Sequence, residues 1–253
     1  MELYYEQVGE GSPVLLLLHG MAGNAGVWQP FLDVLRGRWH GRILVPDLRG
    51  HGRSPHGRHY GFGQHAADVS ELLEADEPVT VVAHSMGAVV AVAAASAAFD
   101  LSIRSILGFG VKMEFPPADV EKAHSLARMP VRWFDQRKDA VERFLKLSGL
   151  TGLASEDSPA VQAGVSEDKD HEGRWRIAAD PRTFSAPVPD FSSLMHSCKA
   201  RVRLACGSED WMVNVEQLRR YDPDAIELAG LGHNLHVQEP EALAALLDNV
   251  TKN

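Results

Sequence analysis

Cysteine is nearly absent: Cys198 and Cys206 are the two in 253 residues, so one bridge at most can form and a disulfide scaffold is excluded. Two thiols in a chain this long read as small buried hydrophobes, and a reducing, cytoplasmic setting is expected. Long apolar runs are missing as well. The longest aliphatic run, residues 14–18, falls far short of the roughly 20 residues a membrane helix needs, and the opening MELYYEQVGEGS has no basic start of a leader. Positive charge is also scarce. With 25 Lys+Arg against 34 Asp+Glu, the formal net charge of -9 repels a nucleic-acid backbone. Nucleic acid and membrane are therefore not expected partners, whereas a small-molecule substrate is. There is no internal repeat and no low-complexity tract beyond the alanine-rich stretch 88–98. What remains, 45% hydrophobic and 23% charged, is the profile of a globular protein, and the length suits one α/β domain with an insertion.

Strand-sized β-branched or aliphatic runs recur at residues 3–8, 13–18, 42–46, 79–83, 103–109, 201–206 and 225–228. Between them lie helical stripes: Trp28, Phe31, Leu32 and Leu35; Phe191, Leu194, Met195 and Cys198; Leu243, Leu246, Leu247 and Val250. Near-continuous apolar strands separated by amphipathic helices predict a mainly parallel, doubly wound α/β sheet of about seven to eight strands, with ligands beyond the carboxyl ends of the strands. The rhythm breaks after Phe109. Residues 112–169 show helical pattern only, as at Ala140, Val141, Phe144, Leu145 and Ser148, and are expected to form a helical cap. The core is then 1–111 and 170–253, with the αβ rhythm resuming near Trp175.

The run VTVVAHSMGAVVAVAAA passes from a buried strand directly into a helix, with Ala83-His84-Ser85-Met86-Gly87 at the corner. So sharp a turn strains its corner residue and needs small residues two places either side, here Ala83 and Gly87. Ser85 would then project alone above the strand ends, at a helix N-terminus whose free N–H groups favour developing negative charge. The plain alternative is a serine that merely caps an alanine-rich helix.

A serine hydroxyl needs a base to take its proton, and the base needs a third group to orient it. Gly230-Leu231-Gly232-His233-Asn234 delivers a histidine on a glycine-flexed loop after the last strand, which makes His233 the expected base, with His236 expected to pack. Cys206-Gly207-Ser208-Glu209-Asp210 sets acids at the end of the preceding strand. Asp210 is expected to orient His233 ahead of Glu209, an ordinary turn being the alternative and Glu114 a remote second acid. Leu18-His19-Gly20-Met21 is another strand running into a glycine loop, where the Met21 N–H can pair with that of Met86 as an oxyanion hole while His19 holds the loop.

These pieces together, LLLLHGMAGN, VPDLRGHGRS, AHSMGA, GSEDWMV and GLGHNLHVQEP, resemble the α/β-hydrolase fold superfamily, specifically its small esterase-like members with a helical cap. The order Ser85, Asp210, His233 matches that of the fold. The resemblance implies an acyl-enzyme mechanism and a cap that sets substrate choice; it also implies structural or entrance-lining roles for Asp47, Arg49 and His51. Ala83 departs from the usual glycine of the elbow. Within the cap, Trp133 is the one side chain singled out as a substrate contact.

No cofactor is expected. His51, His56, His59 and His65 lack the spacing of a metal site, and Gly9-Glu10-Gly11 precedes a strand, so neither metal nor phosphate binding is expected there. The expected function is hydrolysis of a small carboxylic ester, thioester or lactone. Carbon–carbon bond hydrolysis, a lyase using His233 without acylation, and a low-turnover binding or signalling protein on the same fold are the alternatives.

Overall fold

A computed structural model describes residues 1–168, 170–171 and 173–251. Its strands, numbered along the chain, are β1 (Tyr5–Val8), β2 (Val14–Leu18), β3 (Arg42–Pro46), β4 (Val79–His84), β5 (Ile103–Phe109), β6 (Val165–Glu167), β7 (Trp175–Ile177), β8 (Arg201–Gly207) and β9 (Ile226–Leu228). Its helices are α1 (Gln29–Leu35), α2 (Phe62–Ser70), α3 (Met86–Ala94), α4 (Pro117–Arg128), α5 (Arg137–Ser148), α6 (Pro159–Gly164), α7 (Phe191–Ser197), α8 (Val215–Leu218), α9 (Leu235–Gln238) and α10 (Pro240–Thr251).

The seven runs read as strands form one sheet in the order β1-β3-β2-β4-β5-β8-β9, parallel except for the antiparallel edge strand β1. Every residue of β2 and β4 is buried, because helices cover both faces and leave no side for polar residues. Alternation then splits the core in two. Leu16, Leu18, Val81 and Ile106 pack under α3 on one face, while Leu15, Leu17, Val82, Leu107 and Phe109 pack with α1 and α10 on the other. Each such side chain contributes roughly 1.5–3 kcal/mol through burial. Among the described residues no helix is long and apolar enough to cross a membrane.

The segment between β5 and β8 carries α4, α5 and α6, but it is not purely helical. β6 lies inside the stretch expected to have no strand, and it pairs antiparallel with β7 through Val165–Ile177, Ser166–Arg176 and Glu167–Trp175. Trp175 therefore belongs to a two-stranded hairpin and not to a resumed αβ rhythm. Three-residue strands are too short for a period of two to show, which is why the pattern hid them. Lys169, the expected end of the cap, lies outside the described residues. Two asparagines join this segment to the core: Asn24 Nδ2 donates to the Ala160 carbonyl at 2.8 Å and Asn234 Nδ2 to the Gly149 carbonyl at 3.0 Å.

Candidate active site

The chemistry-bearing residues gather at the carboxyl ends of the parallel strands. Ser85, between β4 and α3, has φ 50° and ψ -116°, a conformation that L residues seldom adopt. Its N–H donates to the Phe109 carbonyl at 2.8 Å, and its side chain makes no capping hydrogen bond. The strain comes from packing. At Gly87 a Cβ would stand 2.5 Å from the Leu18 carbonyl oxygen and 2.7 Å from that of His19, so α3 presses its first turn against the end of β2.

The same pressure brings in the loop after β2. A Cβ on Gly20 would lie 2.7 Å from His84 Nδ1 and 3.2 Å from the Ser85 Cβ. Met21 follows directly, and among the hydrogen bonds of the described residues neither the Met21 nor the Met86 N–H has an acceptor. His19 braces this loop, its Nδ1 donating to the Gly20 carbonyl at 2.8 Å and its Nε2 accepting the Leu48 N–H at 2.9 Å. Burial lowers the His19 pKa to about 4, so the ring is neutral as this bonding requires.

The His233 loop is fixed by its own backbone: the Glu209 N–H donates to the Leu231 carbonyl at 2.8 Å and the Gly230 N–H to Ser208 Oγ at 2.9 Å. His233 Nδ1 meets Asp210 Oδ2 at 2.8 Å, and Asp210 Oδ1 accepts the Met212 N–H at 2.9 Å. The Asp210 carboxyl is wholly buried, with both oxygens occupied. A carboxylate only accepts, so the imidazole proton sits on Nδ1 and, in the neutral ring, Nε2 keeps its lone pair. Of the competing acids, Glu209 is exposed and Glu114 pairs with Arg220 at 3.0 Å.

The end of β5 links the two halves. Phe109 accepts from Ser85, and a Cβ on the next residue, Gly110, would lie 3.0 Å from the His233 ring. Ser85 and His233 thus flank one corner. Among the described residues neither Ser85 Oγ nor His233 Nε2 has a hydrogen-bond partner, so Asp210 and His233 are joined while the Ser85 hydroxyl is unbonded.

Two residues given no role in the sequence reading belong here. His84 lies against the His233 ring, with centroids 4.6 Å apart, and Asn234 ties the base loop to the end of α5. The signal for each was adjacency: His84 precedes Ser85 and Asn234 follows His233. His236 packs in α9 against Trp28 at 4.7 Å and His84 at 4.9 Å. Asp47 accepts the N–H groups of Ala25 at 2.6 Å and Arg53 at 2.7 Å, and Arg49 forms a buried two-pronged pair with Asp68, so that loop is held by structural bonds. The Trp133 ring has the guanidinium groups of Arg174 and Arg176 over it, at 5.1 and 5.8 Å. Among the described residues no three His, Cys, Asp or Glu converge as metal ligands.

The profile of the Alpha/beta hydrolase family matches residues 15–246. The chain belongs to this family. Its similar members include mouse protein phosphatase methylesterase 1, 30% identical over 158 residues that cover 60% of this chain and 41% of that protein. Another is the pimeloyl-(acyl-carrier protein) methyl ester esterase of Methylococcus capsulatus, 30% identical over 183 residues, 65% of this hydrolase-family chain and 70% of the relative. The chain thus spans only 41% of the length of the methylesterase it resembles. Among solved structures, E-2-(acetamidomethylene)succinate hydrolase superposes with a TM-score of 0.80 at 21% identity over 99% of this chain and 95% of that one. The thioesterase domain from the curacin biosynthetic pathway gives 0.75 at 22% identity over 98% and 99%. At such identities the likeness establishes the family's fold.

Proposed function

We propose that this member of the family is a serine hydrolase of small carboxylic esters, with Ser85 as nucleophile, His233 as general base, Asp210 as its orienting acid and the Met21 and Met86 amides as oxyanion hole. One observation supports the reading: an unbonded serine hydroxyl at a strained corner shares its neighbours, His84 and the end of β5, with an imidazole whose Nδ1 is already bonded to a buried carboxylate. A helix cap or a surface histidine needs neither feature.

In the first step Ser85 Oγ bonds to the ester carbonyl carbon while its proton passes to His233 Nε2. The carbonyl oxygen becomes an oxyanion between the two amides, each such donor being worth roughly 3–4 kcal/mol in the transition state. Collapse breaks the bond to the alcohol oxygen, which leaves with the proton from His233. Water then attacks the acyl carbon, gives its proton to Nε2, and the acid departs from regenerated Ser85. Asp210 stabilises the imidazolium in both halves. Two relatives carry methyl esters in their names, which favours esters of a small alcohol. The 112–169 cap then selects the acyl portion, with Trp133 as its contact.

The test is hydrolysis of methyl and nitrophenyl esters of graded acyl length by wild type and Ser85→Ala, with fluorophosphonate labelling of both. Wild type should turn over and be labelled at Ser85, and Ser85→Ala should do neither. Equal rates in the two proteins would sink the proposal.

A further inference from the structure

The opposite ends of the same strands border a half-open cavity of about 600 Å³, within the range of small-molecule sites. It opens between the last turns of α1 and α10, and Thr80, its floor on β4, is five residues from Ser85, roughly 16 Å along the strand. It is therefore separate from the catalytic corner.

Three features of this cavity are unexplained by packing. First, its floor carries two hydroxyl residues on a face whose buried members on β2–β5 are otherwise aliphatic or aromatic. Thr80 shares its face with Val82 and Ser105 with Leu107, and the two hydroxyl residues are direct register partners, 9% and 7% exposed. Among the described residues neither hydroxyl has a hydrogen-bond partner and neither oxygen is a buried unpartnered atom, so both open onto the cavity. Second, the register slips at this point: Val79 pairs with Ile103 and Thr80 with Ser105, which leaves Arg104 as an extra, bulged residue. Bulges re-aim side chains, and this one puts Arg104 on the cavity wall. Third, Arg104 has no ion pair or hydrogen bond among the described residues. The neighbouring cations are occupied: Arg38 pairs with Glu241 at 2.8 Å, and Arg201 donates to the Val250 carbonyl, which answers the negative end of α10 and the nearby Asp248. The opposing wall is Trp39, held by a bond from Nε1 to the Pro13 carbonyl at 3.3 Å, with Leu35, Leu247 and Val250.

We propose that this cavity is a second binding site, for an organic anion whose carboxylate or phosphate head meets Arg104, Thr80 and Ser105 and whose apolar body lies against Trp39 and Leu247. An anionic head answers the free guanidinium and accepts from both hydroxyls, and the apolar wall excludes bare inorganic ions as the preferred occupant.

Calorimetric titration of the full chain with 1-naphthyl phosphate, 1-naphthoate and uncharged 1-naphthol tests this. One saturable site for at least one of the anions is expected, with naphthol weaker by roughly tenfold or more. Whichever anion binds identifies the head. Arg104→Glu, an exposed change that leaves the sheet intact, should weaken binding at least about tenfold, and Ser105→Leu should fill the floor. Fluorophosphonate-blocked wild type and Ser85→Ala should bind as well as the free enzyme. No saturation by either anion up to about 10 mM, unchanged binding in Arg104→Glu, or loss of binding on blocking Ser85 would each overturn the proposal.

Discussion

The imidazole of His84 stands edge-on to that of His233, at 62° and 4.6 Å between centroids. The residue before the corner serine thus walls the ring of the proposed base, and His84 itself stacks on Phe109 at 5.0 Å. Asp210 fixes the ring at Nδ1, and His84 limits its tilt. His84→Ala should lower kcat on the order of tenfold with KM little changed, and His84→Phe, which restores the flat wall, should recover most of it. Steady-state kinetics decide the matter: two variants equal to wild type would remove His84 from any positioning role.

Ser85 sits at φ 50° and ψ -116°, where a side chain costs of order 1–3 kcal/mol and glycine costs far less. Ser85→Gly should therefore be more stable than Ser85→Ala by about 1 kcal/mol, although both lack the proposed nucleophile. Urea melts of the two inactive variants measure the difference directly. Equal midpoints would mean that the corner is unstrained.

Gly87 and Gly20 are predicted to respond differently to alanine. At Gly87 the new methyl meets fixed carbonyl oxygens at 2.5 and 2.7 Å, so Gly87→Ala should lose about 1–3 kcal/mol of stability as α3 lifts from β2. At Gly20 the nearest atom is His84 Nδ1 at 2.7 Å, on a buried ring packed against Phe109, His233 and His236, with the Ser85 Cβ at 3.2 Å. Gly20→Ala should lose most of its kcat as well as stability, because the displaced ring is the one that walls His233. Thermal melts paired with esterase rates distinguish the two effects.

Acid should destabilise this protein. Burial, as the largest cause, lowers His19 to about 4 and His51, His65 and His236 to about 3, and holds His84 well below 6.5. Each is neutral in the fold and takes up its proton near pH 6.5 once unfolded. Their contribution is complete above about pH 6.5 and is lost as pH falls toward 4, at about 1.4 kcal/mol per pH unit for each residue. All five act in the same direction, so stability is expected to fall steadily as pH drops below about 6.5. Both ring nitrogens of His65 are buried without partners, so His65→Leu should raise the Tm more at pH 5 than at pH 8. A Tm that stays flat from pH 6.5 to 4.5 would contradict this account.

Trp133 is held under two guanidinium groups and so presents a fixed face. As the acyl contact of the proposed esterase, its replacement by alanine should raise KM for longer acyl esters by roughly tenfold and leave that for acetate esters nearly unchanged. A uniform fall in kcat across the series would assign Trp133 a structural role instead.

Fold class was legible in the chain because fully buried strands such as Val14–Leu18 and Val79–His84 need no partner to reveal them: their composition already demands cover on both faces. Ser85, His233 and Asp210 were legible as types at strand ends, since a strand-to-helix corner and two glycine- or serine-bearing loops are local events. Local sequence did not reveal the β6–β7 hairpin, whose three-residue strands exist only as a pair. Nor did it single out His84, whose role comes from a ring 149 positions away in the numbering, or the Arg104 bulge, which is a mismatch between two strands and belongs to neither. Propensity and periodicity act between near neighbours and set which elements form. Register and ring contacts depend on distances between remote segments, and those come into being only when the sheet and its loops pack together.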